Sequence, residues 1–246
     1  MSAVLVIGGS DSSGGAGLAR DVRTLAHFGT RALCVVTAVT AQSDVQVTAL
    51  HLVPADIVRA QIEAAFATCP VDVVKIGMLG TRATVLAVAA GLAGHAGLPL
   101  VLDPVLASSS GRELLDAAGA AALREVLLPC ATLVTPNIPE AAALLGTAQA
   151  LTPEQLLRQA QELLALGPQA VLLKGGHASG EEASDLLLAR AGAARRFSAP
   201  RSASTRRGTG CALATAIAAA LAAGLTLEAA CARAKQHVTE LLQSAD

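Results

Sequence analysis

Short apolar runs alternate along the chain with segments of helical spacing. "AVLVIGG" ends in glycines and is followed by "GLARDVRTLAHFG", a helical pattern with its stop at Gly29. "RALCVVTAV" is a continuous β-branched run. After a polar turn, "VTALHLV" reads as a short strand, and Pro54 opens the helix "ADIVRAQIEAAFATC" at a position proline favours. "VDVVKIGML" is a strand, "ATVLAVAAGLAGHAG" a helix, "PLVLDPVL" a strand stopped by Pro104, and "RELLDAAGAAALREVLL" a helix. "ATLVTPN" and "PEAAALLG" repeat the theme. In "TPEQLLRQAQELLALG", Thr152 caps the helix, Pro153 takes its first position and Glu154 its first turn. "QAVLLKGG" is a strand, "ASDLLLAR" and "ARRFSAP" flank "AGA" as a hairpin, and "GTGCALATAIAAALAAG" and "TLEAACARAKQHVTELLQ" are the last helices. The strands show no clean in/out alternation, so both sheet faces are covered. The pattern predicts one α/β domain over residues 1–246 with a mostly parallel sheet of about eight strands and helices on both faces. In such sheets ligands sit beyond the carboxyl ends of the strands. The unusual loops fall there: after the first strand, after "LVLD", "LVT" and "VLLK", and before the helix at 208.

Composition narrows the function. The chain is 53% hydrophobic and 15% charged, with no Trp or Tyr and three Phe, so the core is Leu, Val, Ile and Ala. Scarce aromatics argue against a base-stacking platform for single-stranded nucleic acid. A formal charge of −1 without a long basic stripe removes the footprint of a nucleic-acid binder; Arg195–Arg196 and Arg206–Arg207 are only local pairs. No run reaches the ~18 apolar residues of a membrane span without glycines or charges. "MSAVLVIGG" is too short for a signal peptide and runs straight into a glycine loop, so it reads as a first strand. The cysteines at 34, 69, 130, 211 and 231 form no C-x-x-C and pair with no His spacing. They read as small hydrophobes in a reducing cytoplasm, Cys211 apart, rather than as disulfides or zinc ligands.

Five stretches carry chemistry. "GTG" at 208–210 heads a helix, where unpaired amides and the macrodipole favour an anion and where glycines let the backbone come close. Taken alone it also fits a helix cap with glycine for packing. Cys211 in the first turn is a thiol whose pKa that location lowers, fit to act as a general base, or else an inert core residue. "GGSDSSGGAGLARD", Gly8–Asp21, matches neither the dinucleotide nor the P-loop spacing. Its glycines either pack backbone against a small ligand, with Asp21 reaching back one turn past Gly17, or form a flexible turn. In "KGGH", Lys174 ends a strand and faces the ligand crevice, suited to phosphate, whereas His177 reads as a surface-loop residue. In "TPNIPEAA", Asn137 and Glu140 point the same way from a helix start and suit hydrated Mg²⁺ near phosphates, or Glu140 simply complements the helix dipole. In "VLDPVLASSSG", Asp103 ends a strand beside the same crevice or is a solvated turn carboxylate.

The ordered set "GGSDSSGGAGLARD … TAQ … KIGML … DPVLASSSG … TPNIPEAAAL … LLKGGH … GTGC" resembles the hydroxymethylpyrimidine and phosphomethylpyrimidine kinases of thiamin biosynthesis, members of the ribokinase-like superfamily. The resemblance runs from about Val4 to about Gly224. "GTGC" replaces the "GTGD" of many sugar kinases and belongs to the vitamin-kinase side, which includes certain pyridoxal kinases. The resemblance implies a ribokinase-like fold and an ATP- and Mg²⁺-dependent kinase that phosphorylates 4-amino-5-hydroxymethyl-2-methylpyrimidine and then its monophosphate. It implies Cys211 as the catalytic residue near the hydroxymethyl group, with Gly208, Thr209, Gly210 and Cys211 as the anion hole. Lys174, with Asn137 and Gly208, would meet the nucleotide phosphates; Asp103 and Glu140 would serve the metal. Gly9, Asp21, Gln42, Met78 and Val105 fall on the pyrimidine-pocket positions. Gln42 offers a donor and an acceptor to an aminopyrimidine edge, and Met78 and Val105 an apolar slot. The family commonly forms homodimers. The chain departs from the pattern at Thr205–Arg206–Arg207, where Asn/Asp-Thr-His is usual, at Ala19–Arg20, at Ser109, and in stopping at Asp246 without a "GHGPV"-like tail. Those departures leave pyridoxal phosphorylation and a catalytically weak pyrimidine sensor as the alternatives.

Overall fold

The computed structural model describes residues 1–108, 110–175, 181–202 and 206–243. Ser109, His177 and Thr205, singled out above, lie outside the described residues. The strands are β1 (Ala3–Asp11), β2 (Arg31–Gln42), β3 (Val47–Leu52), β4 (Val73–Ile76), β5 (Leu100–Leu102), β6 (Leu133–Val134), β7 (Ala170–Leu173), β8 (Glu182–Ala189) and β9 (Arg195–Pro200). They form one sheet in the order β3-β2-β1-β4-β5-β6-β7-β8-β9. Nine strands stand where about eight were expected; the short "VTALHLV" segment and both arms of the hairpin all join the same sheet. The pairings from β2 through β7 are parallel, while the β2–β3, β7–β8 and β8–β9 pairings at the two ends are antiparallel.

The helices are α1 (Gly17–His27), α2 (Ala55–Thr68), α3 (Arg82–Leu92), α4 (Ala117–Ala122), α5 (Ile138–Leu145), α6 (Pro153–Ala165), α7 (Thr209–Ala222) and α8 (Leu227–Gln243). Neighbouring strand residues point to opposite faces. Leu5 and Ile7 of β1 therefore join the core under α2 to α6, while Val4 and Val6 join the core under α1, α7 and α8. The segment at 112–128 begins its helix later than its spacing predicts. Arg112–Leu115 stays extended and bridges to Ala107 and Gly80, and Asp116 caps α4 by accepting from the Gly119 amide. Thr152 caps α6 as expected, and Gln155 completes the capping box.

α7 lies between α1 and α8, over β1, β4 and β5. Its residues from Ala212 to Ala220 are buried, which explains the alanine run: a helix buried all round is apolar all round, and small side chains bring its axis close to the sheet. β1 pairs with β2 on one side and β4 on the other, so the connections leave it in opposite directions. A sheet of this kind opens a crevice beyond the carboxyl ends at that switch point. Among the described residues, no helix is long and apolar enough to cross a membrane.

Candidate active site

A cleft of about 720 Å³ opens at the carboxyl ends of the parallel strands. Every site residue proposed from the sequence lines it, including Gly9, Asp21, Gln42, Met78 and Val105 on one side and Asn137, Glu140 and Lys174 on the other. The tip of α7 stands between the two sides.

That tip is built by one left-handed residue. Gly208 is the N-cap at φ 74°, with no side-chain cap. A Cβ there would strike the Gly15 carbonyl oxygen, so the tip packs backbone to backbone on the β1–α1 turn. The first intrahelical bond runs from the Ala212 amide to the Gly208 carbonyl at 2.9 Å. The amides of Thr209, Gly210 and Cys211 precede it and, like the first amides of any helix, are left for another acceptor. A Cβ on Gly210 would come within 3.2 Å of Lys174 Nζ, so amides and ammonium share one small volume. A row of amides beside an ammonium can hold a phosphoryl group in transfer.

Lys174 donates to Asp103 Oδ1 at 2.7 Å and lies 3.8 Å from Glu140 Oε2. Burial works to lower the Lys174 ammonium, but Asp103 and Glu140 outweigh it and hold it above the usual range. Asp103, despite burial, is kept below the usual carboxylate range by Lys174 and Lys75, and also accepts from Thr135 Oγ1 at 3.1 Å. Burial, helped by Asp103, pushes the Glu140 carboxyl up to about 7. Two carboxylates around one ammonium leave a negative charge in excess once both ionise. Among the described residues no cluster of three or more His, Cys, Asp or Glu could hold a metal by itself. The donor set thus suits a hard cation that takes its remaining oxygens from water and phosphate. Asn137 and Glu140 also form a reciprocal capping box at the start of α5: Asn137 Oδ1 accepts from the Glu140 amide at 2.7 Å, and Glu140 Oε2 from the Asn137 amide at 2.8 Å. The helix-start role and the site-facing role coexist.

On the other side, Gly9 makes room for Met78: a Cβ there would fall 2.8 Å from Met78 Sδ. The Gln42 backbone is tied to Ser12 Oγ in both directions, at 2.8 and 3.0 Å, and its Oε1 accepts from Thr40 Oγ1 at 3.1 Å. Asp21 borders the cleft only from beneath, its carboxylate engaged within the fold. It is 0% exposed, and its oxygens accept from Lys75 Nζ at 3.0 and 2.9 Å and from Thr215 Oγ1 at 2.6 Å. Burial pushes the Asp21 carboxyl up against the pull of Lys75, and Asp21 in turn keeps the buried Lys75 charged. This pair stitches β4, α1 and α7 together under the cleft.

Cys211 corrects one expectation. Its helix-tip position was expected to lower the thiol pKa; instead burial raises it to about 11, helped by Asp21 and Asp103 and opposed by Lys75. Taking the anion out of water is the largest cause, partly offset by Lys75 and by a backbone hydrogen bond from Gly17. At neutral pH its thiolate fraction is about a hundredfold below that of an ordinary thiol at 9.0. Iodoacetamide labelling followed by peptide mass spectrometry is expected to modify the exposed Cys130 well before Cys211. Equal rates would show that the helix tip wins after all.

Sequence reasoning missed two parts of the cleft. Lys75 was legible as a lone charge inside the apolar run "VVKIGML". The wall made by Ala183, Asp185, Lys235, Val238 and Leu242 had no such signal. There Lys235 Nζ meets Asp185 Oδ2 at 2.8 Å and Asp185 Oδ1 accepts from the Gly175 amide at 2.9 Å, joining α8 to β8 and the end of β7.

Comparison with known proteins agrees with this architecture. The family model for phosphomethylpyrimidine kinase matches residues 11–246. A hydroxymethylpyrimidine/phosphomethylpyrimidine kinase of Rhizobium meliloti (strain 1021) is 43% identical over 242 residues, covering 98% of this chain and 91% of the relative. The crystal structure of phosphomethylpyrimidine kinase from Clostridium difficile 630 superposes with a TM-score of 0.86 at 36% identity, covering 99% of this chain and all of the other. Pyridoxal kinase from Staphylococcus aureus, in complex with AMP-PCP and pyridoxal, superposes with a TM-score of 0.90 at 28% identity, covering 100% and 90% of the two chains. With a glycine-built helix tip, a cleft-facing lysine and a lone cysteine converging at the mouth of a ribokinase-like sheet, and with a match along nearly its whole length, the chain belongs to the phosphomethylpyrimidine kinase family.

Proposed function

We propose that the protein transfers the γ-phosphoryl group of ATP to the hydroxymethyl oxygen of 4-amino-5-hydroxymethyl-2-methylpyrimidine, and then to the resulting monophosphate, within a single kinase domain over residues 1–246. The observation that carries this reading is the meeting of the α7 tip with Lys174 in one cleft, beside a slot floored by Gly9 and Met78. The pyrimidine lies in that slot with its amino edge on Gln42, and Val105 covers its apolar side. The amides of Gly208, Thr209, Gly210 and Cys211, with Lys174, hold the transferring group. Asn137 presents its side-chain amide nitrogen to the nucleotide phosphates. The wall of Val238, Leu242 and Ala183 suits the apolar faces of the nucleotide. Asp103 and Glu140 would hold Mg²⁺, which would offset the negative charge of the phosphates. Asp21, its oxygens already engaged, supports the pocket floor.

The thiolate form of Cys211 takes up the proton that the hydroxyl loses. Its thiol rests protonated, so kcat/KM is expected to rise by about tenfold per pH unit through the neutral range, as the thiolate grows toward about 11. Cys211→Ala is expected to lose most turnover while keeping nucleotide binding. A flat pH profile, or unchanged kinetics in Cys211→Ala, would remove the thiol from the mechanism.

A second reading, pyridoxal phosphorylation, is favoured by the close superposition on pyridoxal kinase. An assay of ADP release with each vitamin separates the two: turnover with the pyrimidine supports the first, turnover with pyridoxal alone the second, and binding without turnover a sensor. The family resemblance also suggests a cytoplasmic homodimer, which light scattering after size exclusion tests for its dimeric part.

A further inference from the structure

One guanidinium is gripped by two neighbouring turns at the rim of the cleft. Arg207 Nη2 donates to Asp11 Oδ2 at 3.2 Å. Its Nη1 donates to the Ser43 carbonyl at 2.6 Å and to Ser13 Oγ at 3.2 Å, and lies 3.5 Å from Asp44 Oδ1. Asp11 and Ser13 belong to the β1–α1 connection, Ser43 and Asp44 to the β2–β3 turn, and Arg207 itself directly precedes the α7 tip. The forked, planar guanidinium suits this role because its donors point in several fixed directions, which a lysine ammonium does not reproduce.

The grip is sheltered. The Arg207 side chain is 14% exposed and that of Asp11 4%, so the pair escapes much of the screening that weakens surface ion pairs. Each turn is also stiff enough to transmit it. Asp11 accepts from the Ser13 amide, Ser13 Oγ and the Ala16 amide, so holding Asp11 holds the whole connection. Ser12 binds the Gln42 backbone, so the same connection fixes the residue that faces the pyrimidine edge.

We propose that Arg207 is a positioning residue that straps shut the alcohol side of the cleft. It holds the β1–α1 connection and the β2–β3 turn against the α7 tip, so that the bound alcohol rather than water meets the γ-phosphoryl group. Without the strap, a water oxygen bonds to the γ-phosphorus, the bond to the bridging oxygen breaks, ADP leaves with that electron pair, and the water proton passes to solvent. The inference rests on the kinase reading above and assigns a residue that reading does not use.

The test compares the intact protein with Arg207→Ala and Arg207→Lys, and reads four quantities: KM for the pyrimidine, KM for ATP, ADP release without pyrimidine, and amide hydrogen exchange in residues 12–16 and 43–46. For Arg207→Ala the pyrimidine KM is expected to rise about tenfold or more, as loss of a charge-assisted hydrogen bond implies. KM for ATP stays within about twofold, ADP release without pyrimidine rises several-fold, and exchange quickens in both turns; Arg207→Lys falls in between. Unchanged exchange in the two turns overturns the strap. So does an equal loss through kcat and both KM values, which marks general damage. If Arg207→Ala does not fold, Arg207→Lys and Asp11→Asn give the same readings. If the intact protein phosphorylates no pyrimidine, the kinase reading fails, while the exchange data still decide the strap.

Discussion

Lys75→Met is expected to destabilise the protein by about 3–5 kcal/mol, seen as a lower urea midpoint with the slope preserved. Lys75 is 1% exposed and Asp21 0%, and the ammonium supplies two of the three hydrogen bonds that the Asp21 carboxylate accepts. Removing it strands a buried anion with Thr215 as its remaining partner, which costs far more than the pair contributes while intact. Met replaces the lysine stem with little change in volume, so loss of packing is not the main effect. The double variant Asp21→Asn/Lys75→Met removes both charges together and is expected to recover most of the stability. A double variant no better than the single, or a single that loses under about 1 kcal/mol, would mean that the pair is not what holds β4, α1 and α7 together. Turnover in the double variant reads a different property, because α7 carries the anion-binding tip and Thr215 lies one turn below Cys211.

Lys174→Met is expected to lower kcat by about a thousandfold, on the scale of losing one preorganised charge at a transferring group. The ammonium sits under the α7 tip and beside Asp103, where charge on a phosphoryl oxygen would otherwise face two carboxylates. KM for the pyrimidine is expected to change little, because Gly9, Gln42 and Met78 line the other side of the cleft. The coupled ADP-release assay measures both. A loss in kcat below about tenfold would place the transferring group away from Lys174. The Lys75 variant acts mainly on stability and the Lys174 variant mainly on rate, although both break a lysine–carboxylate pair. The difference follows from position: Lys75 is buried beneath the cleft with 1% of its side chain exposed, whereas Lys174 is 13% exposed and opens into it.

Much of the site was legible because its residues sit at element ends, where spacing is informative. Lys174 ends an apolar strand, Asp103 precedes a proline, Asn137 and Glu140 open a helix, and Gly208 heads one. Strand-then-helix order sends each of these to the same edge of a parallel sheet, so their convergence followed from topology. The cap of α6 was equally readable, since Thr152 and Pro153 act within one turn. The start of α4 was misjudged, because Arg112–Leu115 has helical spacing but is held by long-range bridges to Ala107 and Gly80.

From local order alone, then, the chain determined its alternation of strand and helix, its covered parallel sheet, and the glycine-rich turns that face the cleft. Tertiary structure alone decided where each charge finds its partner. Asp21 turned inward to Lys75, Arg207 reached across to Asp11 and Ser43, and Lys235 came from the last helix to Asp185. It also decided that the Cys211 thiol is raised rather than lowered. Periodicity and capping act over a few residues and are written in the local sequence, whereas burial and ion pairing depend on which distant segments are brought together, and that is set only when the sheet and its two helical layers close.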